Sequence, residues 1–484
     1  MDPVTAICTG RRLTLRHPCR LLPHRRADGS ASAPSSLVAM SPTTAAGEPV
    51  VVVGGGVAGM AAAARLAKVG HRVTLLEAGN RLGGTWAPYE LDGIRVDDAP
   101  GVLRFPAPWR DLFRKSGRPL EAELGRTGAG LEPAPPTHYR FSDGSDLTLP
   151  TERGQQHAVM VERYGVAAAV RWRDLLDGLD RVWQAVRPLG LEAELSGRAQ
   201  LSPAKKVLRP RQNLAQLARE LEEPHLAAVL LSTAYRLGSV PERTPACCAV
   251  ELAVERTFGR WRLTSGAAGE TGRSSLLVDA LAERLRLRKV EVRLGMRVQR
   301  LVATEGRVVG VTTAGGERVD AAAVICTVDP WDTYSTLWPV ALTRRQRTTV
   351  AGWRPALAPR VRHRLLAEAG GSPAGDDLLA AHLPNAEPGA ETVRLTAHGV
   401  PTLGYTRETP AGLLHCEHDY GHAVPSRSAG IAWDGFRSWL ARPAVTSDLP
   451  GLFLAGPYSP GGSSPSAVVL SAALASYACA DYLD

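Results

Sequence analysis

Residues 50–86 read VVVVGGGVAGMAAAARLAKVGHRVTLLEAGNRLGGTW, and this stretch decides the fold. The four valines at 50–53 are β-branched and precede three glycines, which predicts a buried strand of a parallel sheet. The alanine-rich residues 60–69 predict a helix, Gly70 predicts its end, and residues 71–76 predict a second strand. A strand, a glycine-rich turn, a helix and a strand in this order indicate a dinucleotide-binding unit.

Each glycine of the turn has a physical role. Gly54 permits the tight turn, Gly56 lets the backbone approach a pyrophosphate, and Gly59 lets the helix pack closely on the strand. The N–H groups at the start of the helix favour a phosphate. Glu77 follows Gly54 by 23 residues, near the spacing of a carboxylate that accepts from a ribose hydroxyl. A glycine-rich turn that binds nothing would not require this acid, which also disfavours a 2′-phosphate.

Residues 78–84, AGNRLGG, resemble an extension of the glycine motif found in one large flavoenzyme superfamily. That superfamily contains the amine oxidases, the protoporphyrinogen oxidases and the phytoene-type desaturases. Gly83 and Gly84 permit close backbone approach, and Arg81 would add charge at the pyrophosphate. The best candidate for a second nucleotide site, the glycine-rich run 266–272, has the wrong spacing. The resemblance therefore implies one FAD and no separate NAD(P)H site.

The C-terminal residues resemble the second FAD motif of the same superfamily, closest to its desaturase form. Residues 449–456 predict a strand that ends in glycine, and a helix follows the proline- and glycine-rich run 457–467. In the family, the strand end meets the ribityl chain and the helix N-terminus points at the flavin. Residues 96–103, VDDAPGVL, resemble the segment that passes close to the flavin ring in phytoene-type desaturases. The chain is thus identified as similar to the phytoene desaturase-like branch.

The resemblance implies a set of cofactor-binding residues in the first motif, the second motif and a returning strand at 290–298. They are Gly54, Gly56, Val57, Ala58, Gly59, Glu77, Ala78, Arg81, Gly83, Gly84, Val298, Gly456, Ser466 and Ala467.

One cluster of potential metal ligands occurs in the sequence, His415-Cys416-Glu417-His418 with His422. Its spacing fits no zinc pattern, so no metal is predicted. Histidines here are better interpreted as proton carriers near the flavin. No catalytic residue is assigned, and His415, His418 and Asp97 are candidates for the base.

The predicted fold class is α/β, a Rossmann-like FAD-binding domain of the GR2 type with a parallel sheet and an inserted α+β substrate-binding domain. Residues 152–273 read as mostly helical. The predicted segments are a disordered or transit-like N-terminus at 1–47, the FAD-binding domain at 48–150, 274–330 and 449–484, and the substrate domain at 151–273 and 331–448. Met40 is an alternative start.

Composition limits the partners. The net charge is +9, but only five of the 57 basic residues are lysines. We interpret this preference for arginine as a consequence of the base composition of the genome. No nucleic-acid motif occurs, and no nucleic-acid partner is predicted. Seven scattered cysteines indicate a reducing, cytoplasmic compartment.

The apolar run 465–483 is better explained as a core helix than as a membrane span. The basic and apolar segment 198–219 leaves peripheral membrane contact open, with a solvated helical face as the favoured alternative.

The resemblance implies a desaturase or dehydrogenase that moves a hydride from a small apolar, isoprenoid substrate to FAD, with oxygen or a quinone as acceptor. The amine-oxidase branch generally places a lysine near the flavin, from the later substrate region. This chain has no lysine after Lys289, which counts against amine oxidation. Two alternatives stay open. One is an amine or porphyrinogen-type oxidase, and the other is a non-redox flavin isomerase or prenyl-binding carrier.

Overall fold

The computed structural model of the protein describes residues 47–91, 93–195, 197–265, 273–366, 390–409 and 412–484. The predictions for the N-terminus up to residue 46 and for the glycine-rich run 266–272 lie outside these residues. Residues 48–484 form one compact unit. The predicted division of this unit into two domains therefore stays a prediction.

The strands of the described residues fall into five sheets. In chain order they are β1 (Pro49–Val53), β2 (Arg72–Leu76), β3 (Tyr89–Leu91), β4 (Ile94–Val96), β5 (Val102–Arg104), β6 (Ala129–Pro133), β7 (Thr137–Phe141), β8 (Asp146–Leu149), β9 (Arg260–Ser265), β10 (Glu291–Arg293), β11 (Val298–Thr304), β12 (Arg307–Thr313), β13 (Arg318–Asp320), β14 (Ala323–Cys326), β15 (Pro355–Leu366), β16 (Glu391–Leu395), β17 (Pro401–Thr409), β18 (Gly412–Ile431) and β19 (Leu452–Leu454).

The α-helices are named in the same way. They are α1 (Val57–Lys68), α2 (Ala107–Ser116), α3 (Leu120–Gly125), α4 (Arg153–Val186), α5 (Arg198–Leu201), α6 (Lys205–Leu208), α7 (Leu214–Arg219), α8 (Pro224–Arg236), α9 (Val250–Phe258), α10 (Ser275–Leu287), α11 (Pro330–Asp332), α12 (Arg344–Gly352), α13 (Arg437–Ala441) and α14 (Pro465–Leu483).

A five-stranded parallel sheet in the order β10-β2-β1-β14-β19 carries the first motif. Strand β1 lies in its middle, so both of its faces are covered, which explains an unbroken valine run. Val50 and Val52 pack in the core with α1, α10 and α14. Val51 and Val53 pack on the opposite face, against the antiparallel sheet β11-β12-β13. The predicted α/β class with a parallel sheet is confirmed.

Local boundaries differ from the prediction in a few places. Helix α1 begins at Val57, earlier than predicted, because Gly56 has an extended backbone and serves as its N-cap. Gly70 ends the helix region with a φ of +108°, as expected of a glycine there. The single strand predicted at 290–298 is wrong. It is split into β10 and the start of β11 at Gly295, whose φ of +70° turns the chain from one sheet to the next.

A mixed six-stranded sheet forms a second layer, in the order β15-β18-β17-β16-β7-β8. Its pairs are antiparallel except β16 with β7. Helices α4, α8 and α9 share its hydrophobic core, to which α4 contributes Trp172, Leu176 and Trp183. Strand β9 interrupts the region that was predicted to be helical. The α+β part of the predicted fold is confirmed.

Helix α14 is the one helix within the described ranges that is long and apolar enough to cross a membrane. It packs against α1 and against strands β14 and β19. Val469, Ala472 and Ala475 on it are buried, as the core-helix prediction expects. In the basic segment 198–219, the leucines are buried as well. That segment presents its charges outward and turns its leucines inward.

Substituting Gly59 by alanine tests the close approach of α1 to β1. A Cβ at Gly59 would lie 1.9 Å from the Gly54 carbonyl oxygen, so the helix would have to move. We expect Gly59→Ala to lower the free energy of unfolding by about 1–3 kcal/mol, measured by urea denaturation. The control Gly178→Ala in α4, where the nearest atom lies at 3.9 Å, should be neutral or stabilise by up to about 1 kcal/mol. Equal effects of both substitutions would contradict the close-packing role.

Candidate active site

A cavity of about 740 Å³ extends from the glycine-rich turn after β1 to the face of the six-stranded sheet. Its apolar lining includes Trp183, Val186, Leu237, Leu403, Trp433 and Trp439. Its polar lining includes Arg104, Arg236, Glu251, Tyr405, His418 and Tyr420. The cavity therefore has a glycine-lined end, apolar walls and a polar patch on one side.

The two glycine motifs of residues 50–86 form a single cradle at one end of this cavity. The Gly83 N–H donates to the Gly55 carbonyl at 2.8 Å, and Gly83 forms a parallel bridge with Gly56. A Cβ at Gly84 would lie 3.1 Å from the Gly56 Cα, so a side chain there would crowd the facing turn. Helix α1 begins beside this cradle with no side chain capping its N–H groups. Such an end accepts a phosphate group.

The carboxylate of Glu77 lines the cavity and is held by the backbone around it. Its oxygens accept from the Gly55 N–H and from the Gly79 N–H, both at 2.6 Å. A carboxylate has about four acceptor positions, so two stay available for a ligand hydroxyl. This geometry fits the predicted ribose contact.

The second motif closes the cavity from the other end of the chain. The Gly456 N–H donates to Ser471 Oγ at 2.9 Å, which fixes the end of β19 against α14. Ser466, in the first turn of α14, donates from its hydroxyl to the Phe105 carbonyl at 2.7 Å. The two ends of the chain and the segment 96–105 thus meet at the start of one helix.

Ten of the fourteen predicted cofactor residues line the cavity, and four do not. The ten are Gly54, Gly56, Val57, Ala58, Glu77, Gly83, Gly84, Gly456, Ser466 and Ala467. Gly59 lies under the turn as a packing residue, and Ala78 is exposed. The Arg81 guanidinium donates to the Pro88 carbonyl at 2.8 Å and so is directed away from the cradle. Val298 pairs with Thr313 at the start of β11. The cofactor roles of all fourteen residues stay predictions.

The two adjacent carboxylates after β4 have different environments. Asp97 is buried and accepts from the Ser275 N–H at 2.9 Å, and its burial raises its pKa. Asp98 lines the cavity, with His363 Nε2 at 2.9 Å and the Tyr89 hydroxyl donating at 2.9 Å. The hydrogen bond with His363 is the main reason why the pKa of Asp98 lies below its usual value. Asp98 is therefore the one of this pair that faces the cavity.

Strand alternation separates the histidine cluster that the sequence placed together. In β18, His418 lines the cavity, and its Nε2 is buried without a hydrogen-bond partner. His415 lies on the other face, where its Nδ1 is 3.2 Å from the Thr406 hydroxyl. Burial lowers the pKa of both histidines to about 4, so both are neutral at neutral pH. No group of three or more potential metal ligands comes together in the described parts of the chain.

A buried charge network borders the cavity, and sequence reasoning missed it. Glu391 on β16 has no exposed surface. Arg104 donates to it at 2.6 Å and to Glu255 at 2.9 Å, and the Tyr405 hydroxyl donates to it at 2.8 Å. Burial alone would raise the pKa of Glu391, but the surrounding arginines hold it at about 2. The partners are separated by up to 287 positions in the sequence, so no local sequence pattern could indicate that they form an ion pair.

Comparisons with known proteins agree with this architecture. The profile of the flavin containing amine oxidoreductase family matches residues 57–351. The zeta-carotene-forming phytoene desaturase of Myxococcus xanthus is 31% identical over 62% of this chain and 57% of that protein. The phytoene dehydrogenase of Streptomyces griseus is 29% identical over 58% of this chain and 54% of that protein. The chain thus spans less than two thirds of the length of either relative.

A solved structure of a putrescine oxidase variant superposes with a TM-score of 0.59 at 17% identity, and covers 90% of this chain and 98% of that one. At this identity the likeness shows the fold of a flavin amine oxidase.

Substituting Glu391 by glutamine tests the buried network. We expect Glu391→Gln to lower the free energy of unfolding at neutral pH by about 3–5 kcal/mol, because guanidiniums lose a buried counter-ion. Since the pKa of Glu391 is lowered from 4.5 to about 2, its stabilising effect is complete above about pH 4.5 and is lost as pH falls towards 2. Urea denaturation at several pH values should show the wild-type and variant curves converging in acid.

The matched control is Glu121→Gln, which breaks an exposed ion pair with Arg110. It should cost no more than about 1 kcal/mol. A stability difference between wild type and Glu391→Gln that stays constant down to acid pH would contradict the role of the Glu391 charge.

Proposed function

The chain belongs to the flavin containing amine oxidoreductase family, and we propose that it is an FAD-dependent desaturase or dehydrogenase acting on an apolar, isoprenoid-type substrate. The observation that carries this proposal is the continuity of one cavity from the glycine cradle to walls of tryptophan and leucine. The relatives from Myxococcus xanthus and Streptomyces griseus are named as a phytoene desaturase and a phytoene dehydrogenase, which supports this substrate class.

The residues present fit FAD rather than a smaller flavin. The uncapped start of α1 and the side-chain-free cradle of Gly56 and Gly84 suit a pyrophosphate. Glu77 offers acceptor positions for a ribose beside that cradle. The N-terminus of α14 lies at the other end of the site, where its partial positive charge would stabilise an electron-rich ring. When bound, FAD would supply the hydride acceptor of the reaction.

The chain contributes orientation and exclusion of water. Trp183, Trp433 and Trp439 line the cavity and offer large apolar contact area for a hydrocarbon chain. No lysine lines this cavity, so the water-holding lysine of the amine-oxidase branch has no counterpart among the described lining residues. Both features favour an apolar substrate over an amine.

His418 is the proton acceptor of the proposal. Desaturation removes a hydride from one carbon and a proton from its neighbour, so a base is needed beside the substrate. The His418 ring lines the cavity, is neutral at neutral pH, and has a free Nε2. Asp98 and His363 lie on the same side and set its electrostatic surroundings.

The proposed electron acceptor is oxygen or a quinone, and the proposed location is cytoplasmic. Peripheral membrane contact through the segment 198–219 stays an open alternative, against which the buried leucines of that segment count.

Anaerobic reduction of the flavin tests the proposal. The full chain loaded with FAD should lose the absorbance of oxidised flavin when mixed with vesicles that carry phytoene, and should keep it with putrescine. Bleaching by putrescine alone would establish an amine oxidase instead. A protein that takes up no FAD would favour the carrier alternative and overturn the proposal.

Substituting the two histidines of β18 tests the proton acceptor. His418→Asn should slow flavin reduction by about 10²–10⁴-fold, and His415→Asn, on the other face, should leave the rate unchanged. The wild-type rate should be level above about pH 5 and fall as pH drops through about 4, where His418 becomes protonated. Stopped-flow measurement of an unchanged rate in His418→Asn would exclude this role.

A further inference from the structure

The polar patch of the cavity is not what a pure hydrocarbon substrate requires. Arg236, the last residue of α8, lines the cavity, and its Nε is buried without a hydrogen-bond partner. Its nearest counter-ion is Glu255, at 3.6 Å from Nη1. A hydrocarbon end placed here would keep this guanidinium desolvated with donors unused, which is unfavourable.

Arg236 is the most weakly paired guanidinium in a cluster of buried charges. Three guanidiniums, those of Arg104, Arg236 and Arg260, contact the two carboxylates of Glu255 and Glu391. The carboxyl of Glu251 belongs to the same cluster, since the charges of Arg104 and Arg236 act on it. Glu255 is already contacted by Arg104 at 2.9 Å and by Arg260 at 3.3 Å. Arg104 and Arg236 both line the cavity, but Arg104 has two close carboxylate partners, whereas the ion pair of Arg236 with Glu255 is 3.6 Å long.

Two further polar groups of the lining come from other elements. Glu251 on α9 and Tyr420 on β18 both line the cavity, and the charge of Arg236 acts on both. Burial raises the pKa of the Glu251 carboxyl. Burial raises the pKa of Tyr420 to about 12, so its hydroxyl stays a donor. The Arg236 guanidinium, with an unused Nε donor, and the Tyr420 hydroxyl are suited to a carboxylate ligand.

We propose that the cavity binds a substrate whose apolar chain carries a carboxylate, with Arg236 as its ion-pair partner and Tyr420 as a second donor. The inference rests on the proposed function for the apolar part of the substrate. It differs from that proposal in requiring one charged oxygen group on the chain. In this proposal Arg236 binds the carboxylate of the substrate directly and takes no part in the redox step.

A binding experiment without turnover tests the proposal. All-trans-retinoic acid and all-trans-retinol share one isoprenoid chain and differ only in the terminal group. Both quench tryptophan emission, and Trp183, Trp433 and Trp439 line the cavity. At mildly alkaline pH, the FAD-loaded full chain should bind the acid about 10- to 100-fold more tightly than the alcohol.

Substitutions then assign the preference to Arg236. Arg236→Met should weaken binding of the acid to the level of the alcohol and leave the alcohol unchanged. Arg236→Lys should keep part of the preference, because a lysine keeps the charge and loses the planar fork. Arg219→Met, which removes an exposed arginine of α7, is the control and should bind both ligands as the wild type does.

Folding of the variants is expected, because Glu255 keeps Arg104 and Arg260 as partners when Arg236 is removed. If Arg236→Met does not fold, the wild-type comparison still decides, since equal affinity for acid and alcohol overturns the proposal. A preference that survives in Arg236→Met also overturns it. Acid binding that depends on Arg236, in a protein whose FAD is reduced neither by phytoene nor by retinoic acid, would support this site while rejecting the proposed desaturation.

Discussion

The buried pairing of Glu391 with Arg104 is the constraint on which the cavity depends. A carboxylate with no exposed surface is tolerated only when cations and hydrogen bonds replace its water. The ion pairs of Arg104 on β5 with Glu391 and with Glu255 hold β16 of the six-stranded sheet next to β5 and α9. The residue after Arg104, Phe105, accepts from Ser466 at the start of α14. One buried charge thus ties the sheet wall to the end of the chain that closes the cofactor site.

The cavity combines environments that are physically opposed, and separate elements supply them. The cradle for a pyrophosphate needs backbone without side chains, which Gly56 and Gly84 supply from two turns. The walls need apolar area, which α4 and the segment around Trp433 supply. The polar patch needs a dry setting to make its charges effective, and the same walls give it that setting. Each environment therefore depends on the neighbouring one.

The period of a strand decides which polar residues of β18 meet the cavity. Successive side chains point to opposite faces, so His418 and Tyr420 share the cavity face while His415 and Glu417 lie behind it. Residues 415–418 form one cluster in the sequence, but proximity along a strand does not place side chains on the same face. In the sheet it is two groups, and only one of them can act on a substrate.

The sequence by itself determined the parallel strand, the glycine cradle, the following helix and the acid at Glu77. These features depend on contiguous residues, because glycine conformations, helix starts and strand burial are local properties. The kinship of the two ends of the chain with flavoenzyme motifs could be identified for the same reason. Only the tertiary structure decided that Arg104, Arg236 and Glu391 meet beside one cavity. They lie on β5, α8 and β16, and their convergence depends on sheet order and register, which no short stretch of sequence encodes.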